Sequence, residues 1–90
     1  MKMNHGTYTR YGMLWYWDKA DYGRKSYRSV GRLSDRCVVY EVRYVRKRFL
    51  GRWDGYWVAT VDYMLMDDYG TCKAAMTACR DHLLKIRLEG

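Results

Sequence analysis

The sequence predicts an α+β domain: an antiparallel sheet of three to five strands, with one C-terminal α-helix packed on one face. Three observations carry that prediction. Residues 38–46 alternate with period two, a second strand-like stretch follows within hairpin distance, and from Thr71 onward the apolar period changes to three and four. Ninety residues suit one domain, and with no proline, no repeat and no Ser/Gly-rich linker, nothing divides residues 1–90.

Taken in order, Met13-Leu14-Trp15-Tyr16-Trp17 is a short aromatic run with strand preference, and Asp18 to Gly23 reads as the loop after it. Residues 24–33 alternate poorly, with Lys25, Tyr27, Ser29 and Gly31 on one parity and Ser26, Arg28, Val30 and Arg32 on the other. That pattern suggests a basic edge strand or an extended arm, so residues 1–36 are read as an aromatic strand plus this edge. Ser34-Asp35 supplies the next turn.

Residues 37–66 form the expected central hairpin region. Val38, Tyr40, Val42 and Tyr44 share the drier parity, while Glu41 and Arg43 fall on the other. Asp54-Gly55, between Trp53 and Tyr56, has the two-residue form of a type I′ turn, in which glycine supplies positive φ. A strand over about 56–62 would then face the core with Trp57, Ala59 and Val61. A further short strand around 63–66 would precede an exit loop at Asp67-Asp68-Tyr69-Gly70.

The helix is expected over 71–87. Cys72, Ala75, Met76, Cys79, Leu83 and Ile86 line one face at spacings of three and four, and Lys73, Thr77, Arg80, Asp81 and Lys85 fall elsewhere. Thr71 suits the N-cap, and Lys85 and Arg87 suit the negative end of the helix dipole.

Composition bounds the function. At 49% apolar and 17% aromatic the chain has ample surface to bury, and much of that surface is tyrosine with a polar tip, so a mean hydropathy of −0.58 is compatible with a packed core. Seventeen Lys and Arg against ten Asp and Glu leave a net charge of +7, which attracts polyanions. Eleven of the seventeen are arginine, whose planar fork matches phosphates and carboxylates. No stretch approaches the roughly 20 apolar residues of a membrane span, and the N-terminal residues lack a signal-peptide core, so a cytoplasmic protein without a membrane partner is expected.

Chemistry has few footholds. His5, Cys37, Cys72, Cys79 and His82 are the candidate metal ligands. Cys72 and Cys79 are seven residues apart, about 10.5 Å along a helix at roughly 1.5 Å per residue, too far to share an ion or a disulfide. They read as free core thiols, and His82 as a residue at the core boundary. Cys79, Asp81 and His82 lie on one helical turn, but Asp81 points away from the Cys79 face, so nucleophilic catalysis lacks its oriented base. Neither phosphate-loop nor zincin motifs occur. The expectation is a protein that is not an enzyme and uses no cofactor and no metal.

What remains is the interleaving of basic and aromatic side chains in Arg43, Arg46, Lys47, Arg48, Arg52, Trp53 and Tyr56. Cations can neutralise phosphates while rings offer stacking surfaces, so this hairpin is the candidate site and nucleic acid, DNA or RNA, the expected partner. The same residue types guard strand edges and form interface hot spots. The alternative is therefore a phage-type inhibitor or adaptor, counter-defence, anti-CRISPR-like or host takeover, docking on an acidic protein surface. Exposed strand edges also make a homodimer an expectation.

Overall fold

The computed structural model describes residues 5–19 and 23–89. The expectations that fall on residues 1–4 and 20–22, the start of the chain and half of the loop expected after the first aromatic run, lie outside them, and Asp18 and Lys19, read as the start of that loop, belong to the strand before it. Six strands, β1 (His5–Arg10), β2 (Met13–Lys19), β3 (Lys25–Arg32), β4 (Cys37–Phe49), β5 (Arg52–Val61) and β6 (Met64–Tyr69), precede one helix, α1 (Cys72–Glu89). The strands form a single antiparallel meander in chain order, β1 to β6. The class is as expected, but the sheet has six strands where three to five were expected, because β1 and β6 are both full partners in it.

Three connections are two-residue turns with positive φ at both central residues, the dihedral signature of type I′: Tyr11-Gly12, Leu50-Gly51 and Asp62-Tyr63. The central hairpin therefore turns at Leu50-Gly51, where φ is 50° and 76°, and not at Asp54-Gly55. Asp54 and Gly55 are strand residues that face Lys47 and Arg46 across the ladder. The glycine answers a packing need: a Cβ on Gly55 would overlap the Tyr44 hydroxyl, so its absence lets that ring lie over the neighbouring strand.

Two further expectations change. Residues 25–32 are an interior strand, paired with β2 on one side and β4 on the other, and not an edge. Their weak alternation has a packing cause, since Ser29 and Gly31 are small buried residues beneath larger neighbours, Ser29 bonding the Leu14 carbonyl at 2.7 Å and Gly31 lying under Leu83. Asp67 and Asp68 belong to β6 and not to a loop.

One face of the sheet carries the helix. Met13, Trp15, Val38, Tyr40, Val42 and Ala59 meet Ala75, Met76, Cys79 and Leu83 in a single core. The expected parities of β4 and β5 and the expected helical face both hold. Thr71 caps the helix through its Oγ1, which accepts from Ala74 N at 3.1 Å, and Arg87 donates to the Arg32 carbonyl at 3.0 Å near the other end. Trp15 is fully buried and donates through Nε1 to Arg10 O, so it is core and not contact.

Candidate functional site

The central hairpin outgrows the sheet. β4 pairs with β5 from Tyr40↔Val61 out to Phe49↔Arg52, whereas its register with β3 ends at Tyr27↔Val42 and the register of β5 with β6 ends at Trp57↔Tyr69. Among the described residues, 45–56 therefore project as a two-stranded ribbon, within a molecule measuring 46 × 38 × 19 Å along its principal axes. At about 3.3 Å per residue, five residues per strand carry the turn roughly 15 Å beyond the sheet. The length has a local cause: a valine, aromatic and arginine-rich first arm, Val45 to Phe49, paired to Arg52–Tyr56 and joined to it by a turn that matches strand twist.

An aromatic series seals the base of this ribbon. Tyr8 and Tyr27 meet edge to face at 5.7 Å between centroids, Tyr27 approaches Trp57 at 6.4 Å, and Trp57 meets Tyr44 at 5.4 Å. Cations overlie the outer rings, with Arg24 5.0 Å from the Tyr44 centroid and Lys25 4.0 Å from that of Trp17. Sequence reading missed this assembly because its members come from five strands or turns far apart in the chain. Burial drives the phenols of Tyr8 and Tyr27 above the ordinary tyrosine range, so both stay protonated, and Tyr8 donates to the Met76 sulfur at 3.4 Å.

The seven candidate residues do not form one surface. The β4–β5 register and strand alternation put Arg46, Arg48 and Trp53 on the face that, further along the sheet, carries the helix. Arg43, Lys47, Arg52 and Tyr56 lie on the opposite, helix-free face. Arg46 and Arg48 gather over the Trp53 ring, 5.2 and 6.0 Å from its centroid. Arg46, Lys47, Arg48, Arg52 and Trp53 are exposed, as are Phe49 and Leu50 at the tip. Arg43 stands at the ribbon's base, Tyr56 is partly buried beside Val45, and Lys47 faces Asp54 across the ladder.

Below the ribbon, the helix-free face is concave. A depression of about 760 Å³ is bordered by Tyr16, Arg28, Val30, Glu41, Arg43 and Val45. Arg28 is held there by Glu41 at 3.2 Å, a partly exposed pair that orients the guanidinium more than it stabilises the fold.

The other candidates scatter. Cys79 is buried, Cys72 is partly buried and Cys37 is exposed, so the thiols are free as expected but only one of the three is fully in the core. His82 sits at the core boundary, its Nδ1 hydrogen-bonded to the Tyr40 hydroxyl at 2.7 Å. No three His, Cys, Asp or Glu side chains among the described residues are grouped to hold a metal. No helix among them is long and apolar enough to cross a membrane. The chain matches no protein-family model, no curated protein and no solved structure, so the site is read from its own geometry.

Proposed function

We propose that the chain is a non-enzymatic basic binding protein that grips a nucleic-acid backbone with the β4–β5 ribbon. One observation carries the reading: the part of the sheet that projects from the body concentrates Arg46, Lys47, Arg48 and Arg52 against a single carboxylate, Asp54. Exposed cations on a slender, projecting element reach phosphates with little steric cost and release condensed counterions when they do. Gathered like charges repel one another at this spacing, a cost that phosphates bound along the ribbon would offset.

The test is a titration of DNA and RNA oligonucleotides at several salt concentrations. Binding tightens as salt falls, and the variant R46A/K47A/R48A/R52A loses it. Negligible affinity at low salt, or affinity indifferent to salt, ends this reading.

A second reading is favoured by the helix-free face, where Tyr16 and Val30 are about half exposed at the depression bordered by Arg28 and Arg43. An inhibitor or adaptor could seat an acidic protein there. Capture of a stoichiometric protein after nuclease treatment, lost on Y16A/R43A substitution and retained in the ribbon variant, selects it over the first.

A further inference from the structure

Resting on the nucleic-acid reading, we infer that the ribbon enters the major groove of B-form duplex DNA tip first, with each of its faces turned to one phosphate wall. The split of the cations is the starting point. Arg46 and Arg48 project from one face and Lys47 and Arg52 from the other, so a backbone lying flat on either face would leave two of the four unused. A groove supplies phosphates on both sides at once.

The dimensions agree. The major groove is about 12 Å wide and 8.5 Å deep and admits a two-stranded ribbon. The roughly 15 Å projection allows the last two or three cross-strand pairs, those from Lys47 to Arg52, to reach the floor before the body meets the backbone. There the ribbon ends in Phe49 and Leu50, 62% and 85% exposed. Apolar side chains at the tip of so charged an element suit the groove floor, where the thymine methyl is the apolar feature of the base edges.

The arrangement also selects among nucleic acids. Single-strand binders place successive bases on rings that share a surface. Trp53 and Tyr56 lie on opposite faces, and Arg46 and Arg48 already overlie Trp53. The major groove of A-form RNA is too narrow to admit the ribbon.

Fluorescence anisotropy with the full chain tests this on a 20-bp DNA duplex, its RNA counterpart, the single strands, and the duplex with uracil in place of thymine. The DNA duplex binds tightest, and the uracil duplex, which lacks only the major-groove methyls, binds severalfold more weakly. R46A/R48A and K47A/R52A each lower the salt slope by about two, near one per lost phosphate contact. Circular dichroism confirms that these exposed substitutions leave the fold intact. If only one of the two pairs matters, or if single strands, RNA or the uracil duplex bind as tightly as DNA, groove entry is overturned while the nucleic-acid reading stands. If no nucleic acid binds at all, both fall together.

Discussion

Trp15 and Trp53 occupy the same kind of position, a tryptophan in an antiparallel strand with basic residues nearby, yet one is 0% exposed and the other 57%. The difference lies in what covers the sheet. Trp15 is on β2, where α1 supplies a second layer through Met76, Cys79 and Leu83. Trp53 is on the projecting ribbon, where the guanidinium groups of Arg46 and Arg48 lie over its ring. A strand gains most of its stability from an apolar layer packed against it. Past the reach of the helix that gain is gone, and side chains are free to serve contacts.

The sharpest way to break the comparison is to truncate both rings. Trp15→Ala should cost about 3 to 5 kcal/mol, as large-to-small changes of buried aromatics do. Trp53→Ala should stay within about 0.5 kcal/mol, as surface changes do. Urea unfolding of the two variants reads the contrast, and equal losses would mean that the ribbon is part of the cooperative core.

Alkaline sensitivity probes the covered region alone. Burial pushes the Cys72 thiol up to about 11, and those of Cys79 and the Tyr40 phenol to about 12, from ordinary values of 9.0 for thiols and 10.0 for tyrosine. All three are neutral in the folded state and lose protons more readily when unfolded. Their stabilisation is therefore complete below about pH 9 and is lost as pH rises from there through about 12. The urea midpoint should fall across that window, and Cys72→Ala with Cys79→Ala should flatten its first part. A midpoint independent of pH above 9 would contradict the packing described for these groups.

Gly55→Ala tests the junction between the two regions. The added methyl displaces Tyr44, and overpacking of this kind costs about 1 to 3 kcal/mol. If Gly55 were instead a hairpin turn residue, Tyr44→Ala would not rescue the variant, whereas relief of the overlap predicts partial rescue in a double-mutant cycle.

A modest effect of opposite sign is expected at the tip. Leu50 holds φ at 50°, in the left-handed region that costs a branched side chain about 1 kcal/mol and that asparagine tolerates. Leu50→Asn should therefore stabilise the hairpin by up to about 1 kcal/mol, measured by thermal unfolding. A destabilised variant would show that Leu50 makes a stabilising contact in the free protein.

Much of the covered region was legible in the sequence, because period two and period 3.6 are local properties. Val38, Tyr40 and Val42 announce their common face without help, as do Ala75, Met76, Cys79 and Leu83, and Thr71 announces the helix start. Legibility failed where a residue type answers to a neighbour distant in sequence. Gly55 looked like a turn because Tyr44 could not be seen above it, and Ser29 and Gly31 looked like an edge because their smallness serves Trp15 and Leu83. The Leu50-Gly51 turn was hidden by its leucine, since turn chemistry favours Asn or Asp there.

For the candidate site, the sequence by itself determined its composition: a +7 chain in which four arginines, a lysine and four aromatic rings fall between residues 43 and 56. Charge and side-chain chemistry belong to each residue wherever it is placed. Only the tertiary structure decided that β4 and β5 run on past their neighbours, and that Arg52 shares a face with Lys47 while Trp53 shares the other with Arg46 and Arg48. Which face a side chain takes depends on the register of two strands. That register follows from where the turn falls, and a shift of one residue would reverse it.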